Sequence, residues 1–185
     1  MGFSFPAGVS PSVARGSPAF PLPPASIVLS PCERRSGDLR RAWLAWLAPV
    51  AWQWNVTLTF ARRRPGDEFV QRKLAWFVEY VNRKAFGRHW SKFGPGVQWI
   101  AALEYQRRGT PHFHMLMLTV DTLITLNDMV GRFEAAHAWQ SFAGGFASVQ
   151  AVKSAKFSIR YVVKHACKGG RIEVSSGLRS ALPQN

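Results

Sequence analysis

The sequence predicts an α+β domain: a βαββαβ-type antiparallel sheet with helices on one face, then a further helix and a closing strand. Three observations predict it. Stretches of apolar alternation with a two-residue period take turns with stretches of helical spacing. The would-be strands are short and bounded by Gly, Pro and basic turn residues. With 185 residues, 47% of them apolar and 13% aromatic, the chain has the material for one core and excludes global disorder.

The elements follow in order. Seven of the twelve prolines fall in the first 31 residues, and no acidic residue precedes Glu33. That stretch has no periodic apolar face, so residues 1–40 are expected to be a disordered Pro/Ser-rich tail and 41–185 the folded domain. It has neither the basic-then-apolar pattern of a secretory signal nor the Ser or Thr at position 6 of a myristoylation site, where Pro6 stands. Residues 42–54 are the longest apolar stretch, but they are short and contain Pro49 and Gln53, so no membrane span is expected.

In residues 52–60, Asn55, Thr57 and Thr59 alternate with Trp54, Val56, Leu58 and Phe60, the pattern of a half-buried strand, which Arg62-Arg63-Arg64-Pro65-Gly66 ends. Asp67 can cap a helix whose Val70, Leu74, Phe77, Val78 and Val81 keep helical spacing. Gly94-Pro95-Gly96 breaks the chain before a strand over 97–106. Arg107-Arg108-Gly109 makes a turn into a third strand over 110–120. Leu126, Met129, Val130 and Phe133 mark a second helix, and a fourth strand spans 147–152. A third helix over 156–168 stops at Gly169-Gly170, and a strand over 171–176 closes the domain.

Charge points to the partner. Lys and Arg number 24 against 10 acidic residues, a net +14, which suits a polyanion: nucleic acid before an anionic membrane. Two cysteines, Cys32 and Cys167, exclude a disulfide framework and a four-thiolate zinc site and fit a reducing, cytoplasmic setting.

The sharpest motif is Pro111-His112-Phe113-His114. On a strand, residues i and i+2 share a face, so the two imidazoles converge while Phe113 turns to the core. If Gly109 is left-handed in a three-residue turn, residues 106 and 110 pair and Glu104 falls opposite His112. Cross-strand neighbours about 5 Å apart can share one ion. Two half-exposed histidines on a sheet would give the same pair without a metal; the opposed glutamate and basic turn weigh against that.

The second motif is Tyr161-Val-Val-Lys164-His165-Ala-Cys-Lys168. On a helix, Ile159, Val162, Val163 and Ala166 form a buried stripe, and Tyr161, Lys164, His165 and Lys168 share another face. A phenol aligned with lysines suits a nucleophile beside charge-offsetting cations at a phosphoryl group. A solvated basic face with an incidental tyrosine is the plainer reading.

Residues 52–178 resemble the HUH endonuclease superfamily, specifically its rolling-circle replication initiators. Asn55-Val-Thr-Leu-Thr-Phe60 is similar to that family's first motif. Glu104 to His114 is similar to its metal motif with an upstream acid, and Tyr161-Val-Val-Lys-His165 to its nucleophile motif. The resemblance implies a ferredoxin-like HUH fold. It also implies a divalent metal, Mg or Mn, on His112, His114 and Glu104. Tyr161 would attack DNA to give a 5′-phosphotyrosine and a free 3′-hydroxyl primer, with Lys164 assisting the phenol. Some initiators repeat the tyrosine one turn later; His165 stands there, so the chain resembles a single-tyrosine nicking and joining enzyme, of plasmid or phage type. It has no Gly-x-x-x-x-Gly-Lys-Ser/Thr, so unwinding would fall to a separate host helicase. Single-stranded or hairpin origin DNA would contact Arg62, Arg63, Arg64, Lys84, Arg88, Lys92, Arg107, Arg108 and Lys168. Trp90 could stack bases. The alternatives are a single-tyrosine transposase of the same superfamily and a non-catalytic nucleic-acid-binding module.

Overall fold

A computed structural model describes residues 37–61, 65–92, 94–119, 124–143, 145–166 and 171–180. Most of the expected tail, residues 1–36, lies outside the described residues. The elements are α1 (Gly37–Leu47), β1 (Trp54–Thr59), α2 (Asp67–Phe86), β2 (Gln98–Tyr105), β3 (Pro111–Leu118), α3 (Leu126–Met129), α4 (Arg132–Ala143), β4 (Ala147–Ala151), α5 (Ala155–Ala166), β5 (Arg171–Val174) and α6 (Ser176–Ser180). The βαββαβ order is present, and the five strands form one sheet in the order β4-β1-β3-β2-β5, each described pair antiparallel. The histidine-bearing β3 is the middle strand.

The β2–β3 hairpin forms as its sequence predicts. Gly109 takes φ 75°, a left-handed conformation that favours glycine, and the Gln106 amide donates to the Thr110 carbonyl at 3.0 Å. The resulting register pairs Glu104 with His112 and Ala102 with His114. One side chain of every second residue on β1 is buried, as its alternation requires: Trp54, Val56 and Leu58 are fully enclosed.

Helices cover both faces of the sheet, which corrects the expectation of helices on one face. Trp54, Val56, Leu58, Phe113, Met115 and Met117 pack with α2 and α4 residues, among them Val70, Leu74, Phe77 and Trp139. On the other face Ile100, Ala102 and Leu116 pack with Trp46 and Leu47 of α1, Ile159, Val162 and Val163 of α5, and Leu178 of α6. The physical reason lies in β2 and β3, which are buried on both sides over most of their length and so need a second covering layer. Helix α1, unpredicted, starts at Gly37, four residues before the domain boundary drawn from sequence, and its Leu47 is fully buried. Leu47→Ala is therefore expected to cost about 2–5 kcal/mol and to lower Tm by roughly 5–15 °C, checked by thermal denaturation followed by circular dichroism.

Two further differences have local causes. The expected second helix breaks into α3 and α4: a capping box between Thr125 and Asp128 starts the first, and Val130 is extended just before Gly131. The break rotates Phe133 off the buried stripe to 90% exposure, and Ala135 and Trp139 are buried in its place. The last strand stops at Val174, and α6 follows from Ser176. The loop before β4 approaches β1 so closely that a Cβ on Gly145 would stand 1.8 Å from the Thr59 carbonyl oxygen. Only glycine fits there.

Candidate active site

The candidate metal-ligating and nucleophilic residues gather on the sheet face that α5 covers. His112 and His114 project from β3 toward it, while Phe113 between them is fully buried in the opposite layer. The polar half of β1 meets them from the neighbouring strand. Thr59 Oγ1 lies 2.7 Å from His112 Nδ1, and Thr57 Oγ1 lies 3.4 Å from His114 Nδ1. With the proton on Nδ1 each imidazole donates to its threonine, and Nε2 is left with a free lone pair facing the site. In the sequence these threonines belong to the polar side of the alternating strand and to the segment similar to the family's first motif.

Helix α5 supplies the rest. Ile159, Val162 and Val163 fix it against the sheet, and His165 is turned inward with them. His165 Nδ1 contacts the Glu104 carboxylate, and its ring centroid stands 4.2 Å from that of His114. His114 Nε2 is 3.8 Å from the same Glu104 oxygen. Glu104, His114 and His165 thus offer ligand atoms within 4.8 Å of one another, a group that could hold a metal ion. His112 lies beside this group, its ring 4.3 Å from that of His114, but is not among its ligands. The ligand trio expected from sequence was His112, His114 and Glu104; the geometry brings His165 where His112 was expected. Sequence spacing places His165 on the face shared by Tyr161, Lys164 and Lys168. It also stands three residues after Val162 on the buried stripe, and that spacing was the signal available for it.

The donor chemistry fits a divalent cation. Two imidazoles and one carboxylate suit manganese, magnesium or zinc, with no thiolate to select a softer ion. His165 Nε2 is buried without a hydrogen-bond partner, a costly state for a ring nitrogen that a ligand would relieve. Burial, then the neighbouring imidazoles His112 and His165, pushes His114 down to about 3. Burial also lowers His112. Both are thus neutral near pH 7, the form in which an imidazole binds a metal.

Tyr161 is packed against these histidines. Its ring meets His114 edge-on at 4.6 Å and 84°, and His165 at 4.5 Å, and the residue is 36% exposed. The other two tyrosines are engaged elsewhere. Tyr105 donates to Asp67 at 2.9 Å and Tyr80 to Glu134 at 3.1 Å, both on the α2 side of the sheet. Burial and the carboxylate partner raise both phenols above their ordinary value. Lys164 is exposed on α5, one turn beyond Tyr161.

The basic residues expected to share one DNA path divide between two regions. Arg107 and Arg108 are exposed in the β2–β3 turn, beside the Glu104–His112 pair. Lys84, Arg88 and Lys92 lie near the far end of α2, a 20-residue helix whose length is about 30 Å. That helix starts at the Tyr105 end of β2 and finishes near its start, where Asn82 Oδ1 accepts from the Val97 amide. Lys84 is also ion-paired with Glu134 at 2.5 Å. Trp90 is half-buried, and its indole N–H donates to Glu79 at 3.0 Å, so it is a packing residue, not a free stacking platform. Arg62, Arg63, Arg64 and Lys168 lie outside the described residues. Among the described residues no helix is long and apolar enough to cross a membrane.

Residues 53–170 match the family model described as Replication-associated protein ORF2/G2P. The matched span takes in Glu104, His112, His114, Tyr161 and His165. No curated protein and no solved structure matches the chain.

Proposed function

The chain belongs to the replication-associated protein ORF2/G2P family, and on that premise we propose that it is a replication initiator of the HUH endonuclease type, nicking single-stranded or hairpin DNA at an origin. The observation that carries the reading is the packing of the Tyr161 ring against His114 and His165, two of the three residues able to hold an ion. A polarising centre and a hydroxyl nucleophile side by side are what phosphodiester transfer requires.

Glu104, His114 and His165 would hold Mg or Mn, which when bound polarises a phosphate oxygen and offsets charge in the transition state. The chain's own groups do the rest. Thr57 and Thr59 orient the two imidazoles of β3 from behind. Arg107 and Arg108 at the hairpin tip contact flanking phosphates. A phenol is a weak acid, so attack by the Tyr161 oxygen calls for nearby positive charge, and Lys164, one turn on along the same helix, is the side chain to supply it. The phenolic oxygen attacks phosphorus, its proton passing to water. The bond to the 3′ oxygen breaks, leaving a 5′-phosphotyrosine and a 3′-hydroxyl that primes synthesis. One tyrosine serves one strand, unwinding falls to a separate helicase, and the setting is cytoplasmic. Residues 1–40 take no part in the chemistry.

The test is to incubate the chain with single-stranded oligonucleotides and manganese or magnesium, and to look for cleavage and for protein carrying covalent DNA in denaturing gels. Cleavage that requires metal and leaves DNA on the protein is expected. Binding without cutting in either metal, or in zinc, would make the chain a non-catalytic binding module. Affinity should also fall steeply with salt: six to ten neutralised phosphates correspond to about 10³–10⁵-fold weaker binding between about 50 and 200 mM, measured by fluorescence anisotropy.

A further inference from the structure

The outward face of α5 carries a second pattern beyond its catalytic tyrosine. Lys153, just before the helix, and Lys156, Phe157, Arg160, Tyr161 and Lys164 are all exposed, and α5 contains no acidic residue. At 100° per residue these positions fall within one arc of about 140°, with the two aromatics together on the margin next to His165 and the cations forming the outer ridge. Phe157 is 69% exposed beside this charged face. Its plane lies 18° from that of Tyr161, and the ring centroids are 6.5 Å apart. Bases in a stacked strand repeat about every 3.4 Å, so a base held between two rings needs about twice that, roughly 6.8 Å.

We propose that Phe157 is a base-stacking residue: one unpaired base of the strand inserts between the near-parallel rings of Phe157 and Tyr161, with its backbone along the lysine and arginine ridge of α5. The proposal rests on the reading of Tyr161 as a DNA-contacting residue and adds the direction of the strand's path. Stacking is tolerant of sequence because every base has a π-face, and the neighbouring cations match the charge of the phosphates. With a base seated against the Tyr161 ring, the adjoining phosphate is brought to the phenolic oxygen. Phe157 is thus a positioning residue for the nick, and it selects strands that are unpaired at that point, since a paired base has no free face to enter the gap.

The experiment compares binding of two probes by the full chain: a mixed-sequence single strand of about 16 nucleotides and the same strand with abasic sites throughout. Phe157→Ala should weaken binding of the base-bearing strand by roughly 5- to 150-fold, the effect of about 1–3 kcal/mol per stacked base, and leave the abasic strand unchanged. Phe157→Trp should restore the base-bearing affinity and Phe157→Leu should not, which separates stacking from bulk. Equal affinity of wild type and Phe157→Ala for the base-bearing strand would overturn the proposal while leaving the DNA-nicking reading intact. So would equal weakening on both probes. Failure of the wild-type chain to bind either probe would instead overturn the DNA reading, and this proposal with it.

Discussion

Tyr161→Phe is expected to abolish the covalent protein–DNA adduct and to lower strand cleavage by about 10⁴-fold or more, the scale seen when a nucleophile is deleted from an otherwise intact site. The change removes one oxygen and keeps the ring that packs on His114 and His165, so folding, metal binding and strand binding should stay near wild type. Peptide mass spectrometry of a trapped reaction decides the matter. An adduct on Tyr80 or Tyr105, or one that persists in Tyr161→Phe, would assign the nucleophile elsewhere. Both alternatives are already committed to carboxylates across the sheet, Tyr80 to Glu134 and Tyr105 to Asp67, and would have to give up those bonds to react.

The second large effect concerns the metal. An ion that binds only the folded chain, at about 100 times its dissociation constant, adds about 2.7 kcal/mol, or roughly 5–10 °C in Tm for a chain of this size. Manganese should raise the Tm of the wild type by that amount. The rise should vanish in His165→Ala, in His114→Ala and in Glu104→Ala, and most of it should survive in His112→Ala. This pattern follows from the group of ligand atoms, which includes His165 and leaves His112 bonded to Thr59. The reverse pattern, with the rise lost in His112→Ala and kept in His165→Ala, would return the ligand set to the one the sequence motif suggested. Melting each variant without metal separates lost binding from lost fold.

Local rules carried sequence reading a long way here. Alternation in residues 54–60 and the glycine at position 109 were enough to set the strand, the turn and the Glu104–His112 pairing, because those are decided by neighbours in the chain. Reading failed where the deciding partner is distant. Leu47 and Trp46 are buried only because β2 and β3 offer apolar side chains on a second face, and nothing near them in sequence says so. His165 shares spacing with both Tyr161 and Val162, and only the docked position of α5 decides which of the two faces it joins. Lys84 and Trp90 looked available for DNA because their partners, Glu134 and Glu79, come from elsewhere in the fold or from across a loop.

The site is divided between a hairpin and a helix, and so between a local and a long-range contact. Glu104 and His114 sit on adjacent strands joined by a short turn, and such local pairs form early because little chain entropy is lost in closing them. His165 is 61 residues from Glu104 and arrives only when α5 docks on Ile100, Ala102 and Leu116. Two of the three members of the ion-holding group thus depend on a local hairpin, and the third depends on long-range packing. Because Tyr161 and His165 share α5, the same helix docking places both side chains against His114. Under the proposed function, the nucleophile and the third ligand would therefore be gained or lost together.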